Sequence, residues 1–140
     1  LLVVRVHDLV PEPVWRPRYE TINQFERLLA DTGTRIVKFF LHISKNEQRK
    51  RFQERLEEPE KLYKFSAEDI EKRKLWDEYR EAYEEAIERC STDSAPWYVI
   101  PADQKWYRNL AVARVLVGTL REMNPDFPEA KHDLSQIVIE

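Results

Sequence analysis

"RIVKFFLHI", Arg35 to Ile43, is apolar on both of its alternating faces apart from Lys38 and His42. A strand covered by helices on both sides of a parallel sheet has this composition, whereas a half-solvated antiparallel strand alternates apolar with polar. The stretch therefore sets the fold class at α/β, provided that helices flank it. Upstream, "RYETINQFERLLADTG", Arg18 to Gly33, repeats Ile22, Phe25, Leu28 and Leu29 at helical spacing and puts Gly33 where a left-handed helix end belongs. That apolar face is expected to be buried. Downstream, Ser44 and Glu47 make the S-x-x-E pattern that opens a helix, and Pro59 stops it after about Glu57.

Further out, Ser66 and Asp69 open another helix, which runs to Cys90 with no Gly or Pro to break it. Trp76, Tyr79 and Tyr83 recur on it at helical spacing, as core residues or as a stacking platform. "APWYVIPAD" supplies a second short strand bounded by Pro96 and Pro101. "WYRNLAVARVLVGTLREM" is a last helix with Leu110, Ala113, Leu116, Val117 and Leu120 on its buried side. At the other end, Pro11, Pro13 and Pro17 mark a loop, and "LLVVRV" is either a strand or the end of a buried helix. The chain begins inside that apolar run without a cap, so its natural start is expected further upstream. Two strands are too few for a parallel sheet with protected edges, which suggests the second half of a larger domain.

Composition narrows the function. With 35% charged residues among 140 and no run of about 20 apolar residues, the chain is expected to be soluble, with no membrane partner. Cys90 is its only cysteine, which excludes an intrachain disulfide or a CxxC site and fits a cytoplasmic location. A net charge of -3 argues against a general nucleic-acid binder. Gly33 and Gly118 are the only glycines, so neither GxxxxGK[ST] nor GxGxxG occurs. His7, His42 and His132 lack metal-site spacing, and Ser44 and Ser66 serve as caps rather than nucleophiles, so no metal ligands are expected.

Any anion site must then be local. Arg51 and Arg55 lie one turn apart beside Gln48, Phe52 and Leu56, and Lys61 and Lys64 follow in "EEPEKLYKFS". These cations either close over a polyanion, which arginine forks match bidentately, or pair with Glu54, Glu57, Glu58 and Glu60 on a solvated surface. Arg73, one turn from Ile70 and Trp76, needs a partner, whether a structural ion pair or a ligand.

The stretches "LVVRVHDLVPEPVWRPRYETINQFERLLADTGTRIVKFFLHISKNEQRKRF", "EEPEKLYKFS" and "CSTDSAPWYVIPADQKWYRNLAV" resemble the carboxy-terminal half of the polyphosphate kinase 2 family. The likeness runs from Leu1 to about Pro128 and rests on ISKNEQ, KFS and WYVIPADQKWYRNLAV in family order. It implies a partial P-loop kinase-like parallel sheet with helical cover and a helical lid at about residues 45–75. Residues 1–128 would be the carboxy-terminal portion of the domain, and 129–140 a tail. It further implies transfer of phosphoryl groups between inorganic polyphosphate and nucleotides (ADP/ATP, AMP or guanine equivalents), with Mg2+, in an expected homo-oligomer.

By the same resemblance Arg51, Arg55 and Lys64 are catalytic lid cations, and Lys61 contacts the phosphate chain. Arg73 matches the family's R-x-x-W with Trp76. Asp103 and Lys105 match a loop beside the nucleotide, and His7, Arg16 and Arg18 a segment near the acceptor. "LLVVRV" becomes the end of a helix. The family's P-loop and its magnesium-binding aspartates lie upstream of Leu1, so the chain alone is expected to be inactive. A non-enzymatic dimerising or regulatory module from the same family, and a thymidylate kinase-like nucleoside monophosphate kinase, are the alternatives.

Overall fold

A computed structural model describes residues 1–128. The helices are α1 (Leu2–Val6), α2 (Glu12–Trp15), α3 (Arg18–Asp31), α4 (Lys45–Glu57), α5 (Ala67–Lys74), α6 (Trp76–Cys90) and α7 (Lys105–Met123), with a 3-10 helix at Pro59–Lys64. The strands β1 (Lys38–His42) and β2 (Trp97–Pro101) pair in parallel, in register from Lys38 opposite Trp97 to His42 opposite Pro101. A parallel pair requires a crossover, and everything from α4 to α6 supplies it. The sequence expectation of an α/β chain with a parallel sheet and helical cover holds.

Several local expectations hold for local reasons. Gly33, at φ 91, ends α3: its N–H reaches the Ala30 carbonyl at 2.9 Å and the Thr34 N–H reaches Leu29 at 3.1 Å, the paired bonds of a Schellman motif. Ser44 caps α4, its hydroxyl accepting the Glu47 N–H at 3.0 Å. Ser66 and Asp69 make a reciprocal capping box on α5.

One open reading is decided and three expectations are corrected. "LLVVRV" forms α1 rather than a strand, as the family resemblance implied, because its apolar side packs on the core around Trp15, Tyr19 and Cys90. The proline loop contains the single turn α2, where Pro13 sits in the first turn and forfeits no helical hydrogen bond. The helix expected unbroken from Ser66 to Cys90 is interrupted at Leu75, whose φ and ψ of -87° and 27° end α5 before α6 begins. No glycine or proline marks that break. It coincides with the fixing of Arg73 to α4 described below.

The third correction concerns which faces are buried. On α7 the half-buried residues are Arg108, Ala111, Val112, Val115 and Thr119, four of them small or β-branched, on the side that meets β2. Leu110, Ala113, Leu116, Val117 and Leu120 point the other way and are exposed. α7 is apolar on two sides, so periodicity alone selected the wrong one. On α3, Ile22 packs against the core while Phe25 and Leu28 are exposed.

The sheet divides its side chains by parity. Phe40 stacks on Tyr83 of α6 with ring centroids 4.7 Å apart, and Lys38 donates to the Cys90 carbonyl at the end of the same helix. Phe39 lies against Tyr98, its register partner on β2. The ends of β1 and β2 are thereby fixed over the root of α4.

Candidate functional site

Off the carboxyl end of β1 a cleft of about 700 Å³ opens between the sheet, α4, α5 and α6, lined among others by Phe40, His42, Gln48, Arg73, Trp76 and Tyr83. The carboxyl edge of a parallel sheet is where α/β folds place ligands. The volume is that of an ordinary small-molecule site. Trp76, Tyr79 and Tyr83 are half-buried and line this space rather than filling a sealed core.

α4 rises from the cleft's rim and is held there by three bonds to the loop after β2. The Ser44 N–H donates to Asp103 Oδ1 at 2.7 Å. Arg51 Nη2 donates to the carbonyls of Ala102 and Asp103 at 2.8 and 3.3 Å, while its Nε donates to Glu47 at 2.8 Å. The backbone N–H of Ser44 beside Asp103 holds that carboxyl below its ordinary value of 3.8, so it stays ionised. Arg51 is thus committed to protein groups.

One turn on, Arg55 has no carboxylate partner among the described residues; it lies 5.6 Å from the Phe52 ring centre and only grazes the Lys64 carbonyl at 3.5 Å. Lys64 sits 5.2 Å from the Tyr63 ring centre and is likewise free of carboxylates among those residues. Lys61 pairs with Glu58 at 2.6 Å, and that hydrogen bond raises its pKa above 10.5. Phe52 and Phe65 meet edge to face, centroids 5.9 Å apart, and fold the 3-10 segment back on α4 so that Arg55 and Lys64 share one side. Lys105, the first residue of α7, is exposed two residues after Asp103.

Arg73 makes no ion pair among the described residues; its Nη1 donates to the Lys45 carbonyl and to Gln48 Oε1, both at 2.8 Å. Arg51, Arg55, Lys61, Lys64, Arg73, Asp103 and Lys105 therefore belong to one region, from the loop after β2 along α4 to α5. His7, Arg16 and Arg18 do not join it directly. His7 Nε2 lies 3.0 Å from the Tyr79 hydroxyl, so it touches the back of a residue lining the cleft. Arg16 pairs with Glu12 and, at 3.6 Å, with Glu85; Arg18 is exposed.

Sequence reasoning passed over two residues here. Gln48 was seen only as a neighbour of Arg51, whereas it accepts a hydrogen bond from Arg73 of α5. Glu85 joins Arg5 and Arg89, each at 2.6 Å, with Arg16, and no motif announces it.

The family model described as polyphosphate kinase 2 matches residues 1–128. The AMP/ADP-polyphosphate phosphotransferase of Meiothermus ruber is 57% identical over 140 residues, covering 100% of this chain and 52% of that protein. The ADP-polyphosphate phosphotransferase of Rhodopseudomonas palustris is 45% identical, covering 92% of this chain and 49% of its own length. The crystal structure of polyphosphate kinase 2 from Arthrobacter aurescens superposes with a TM-score of 0.89 at 44% identity, covering 94% of this chain and 46% of that one. The chain spans about half the length of each.

Proposed function

The chain belongs to the polyphosphate kinase 2 family, and on that premise we propose that it is the carboxy-terminal half of an enzyme that moves a phosphoryl group between inorganic polyphosphate and nucleoside mono- or diphosphates. Residues of about 45–75 act as its lid. The observation that carries this reading is the pairing of Arg55 and Lys64, cations without carboxylate partners among the described residues, on the helix whose Gln48 and Phe52 line a cleft beside the parallel sheet.

Phosphoryl transfer needs little covalent chemistry from the protein and much charge neutralisation and alignment. Arg55 and Lys64 meet the phosphate chain, with Lys61 available once it leaves Glu58. Arg51 holds α4 against the loop after β2, and through Asp103 and Lys105 that loop borders the nucleotide. Arg73 acts at the base of the lid. His7, through Tyr79, supports the wall of the cleft on the acceptor side, with Arg16 just after α2 and Arg18 opening α3.

Magnesium supplies bridging and neutralisation of phosphate oxygens when bound. The described residues do not fit it: no three of their His, Cys, Asp or Glu side chains group to hold a metal ion, and Asp103 is engaged by Ser44. Its ligands come, in this reading, from the half that the relatives possess beyond the matched region. The 140-residue chain is then inactive alone.

The test is polyphosphate-dependent ATP formation from ADP with magnesium, on this chain and on the full length of its open reading frame. Activity in the longer protein only is the expected result. A folded longer protein inactive with AMP, ADP and their guanine equivalents overturns the reading.

A further inference from the structure

Residues 45–74 leave the sheet at α4 and return at the end of α5, so the excursion has two roots, and one side chain joins them. Arg73, on the last turn of α5, donates to the Lys45 carbonyl in the first turn of α4 and to the Gln48 amide oxygen one turn higher, both at 2.8 Å. The chain breaks at Leu75, immediately after this bond, and resumes as α6. The other root is fixed separately, by Ser44 to Asp103 and by Arg51 to the loop after β2. An arginine in a cleft wall is most simply taken as an anion contact. This one has its Nη1 turned to two neutral oxygens at the hinge.

We infer that Gln48 is a positioning residue: with the Lys45 carbonyl it holds Arg73 as a clasp across the roots of the 45–74 excursion, and so fixes the angle at which α4 presents Arg55. The clasp is neutral on its acceptor side. What the clasp needs from position 48 is an acceptor oxygen, which a carboxylate there would also supply. Where Arg73 is chiefly a phosphate contact, Gln48 is dispensable; where it is a clasp, losing Gln48 copies losing Arg73.

The experiment uses the protein at the full length of its open reading frame and compares Gln48→Ala, Gln48→Glu, Arg73→Ala and the double alanine variant. The kinetic arm rests on the proposed activity. There, kcat/KM for polyphosphate is expected to fall roughly tenfold in each single alanine variant and no further in the double, the size of one charged hydrogen bond. Gln48→Glu, which keeps an acceptor, restores most of it. The second arm is amide hydrogen exchange, expected to quicken across residues 45–74 in Gln48→Ala and to return in Gln48→Glu.

Wild-type kinetics and exchange in Gln48→Ala, beside a loss in Arg73→Ala, overturn the inference and make Arg73 a direct contact. A parent protein without activity counts against the proposed function alone; exchange in the same variants then decides the clasp, and unchanged exchange overturns it.

Discussion

The carboxylate of Asp103 accepts the backbone N–H of Ser44 at 2.7 Å, so the loop leaving β2 closes the open end of α4, where anions are favoured. The bond is stronger to the ionised acid than to the neutral one, and it holds the folded-state pKa below 3.8. A depressed acid contributes stability above its unfolded value and loses it as pH falls through its folded value. Asp103→Asn should therefore melt below the parent at neutral pH. The difference should shrink as pH falls through and below 3.8. Thermal melts across that range check this, and a gap that persists in acid refutes it.

Arg51 and Arg55 look equivalent in sequence and are not in space. Arg51 serves Glu47, Ala102 and Asp103, whereas Arg55 serves no carboxylate among the described residues. Arg51→Ala should cost about 1–3 kcal/mol of stability. Arg55→Ala and Lys64→Ala should leave unfolding within about 0.5 kcal/mol of the parent while weakening polyphosphate binding roughly three- to tenfold. Urea unfolding beside polyphosphate titration of the full-length protein separates the two behaviours.

Glu85 gathers three guanidiniums with a side chain only 19% exposed. Burial pushes its pKa up, but the hydrogen bond from Arg89 and the charges of Arg5, Arg89 and Arg16 overcome that and leave it below 4.5. Because α1, α2 and α6 meet at this carboxylate, Glu85→Ala should destabilise the protein by about 1–3 kcal/mol. It should also flatten the fall of stability as pH drops through and below 4.5. Denaturant curves at neutral and acid pH read both effects.

Cys90 is buried beside Trp15 and Tyr19, its thiol directed at the Tyr19 carbonyl at 3.8 Å. Burial pushes the thiol pKa up. A chromogenic disulfide reagent should label it on the order of a hundredfold more slowly than a free thiol until denaturant opens the core. Rapid labelling of the native protein would contradict the packing of α1 and α3 on α6.

How much of this was legible in residue order depends on the range of the force involved. The caps at Ser44 and Ser66, the end of α3 at Gly33 and the strand around Phe39 and Phe40 follow from neighbours within one turn or one strand, and they were read correctly. The break at Leu75 goes with partners 25 or more residues away in sequence, and the sheet-facing side of α7 is settled by how a helix apolar on two sides folds back on β2, and neither was. Within the site the cations were found, but not their differing commitments. Arg51 is fixed by carbonyls more than fifty residues distant, and no periodicity encodes that.

The parallel pairing of β1 with β2 also has a kinetic consequence. The strands come together only after the whole crossover from α4 to α6 has been drawn into a loop, so the sheet belongs to the slow, non-local class of contacts. Loop-closure entropy grows only logarithmically with length, so the helices between the strands lengthen that loop at little cost. The excursion through α4 and α5 thus sits where the chain must in any case travel out and back, and local helical turns are expected to form before the sheet.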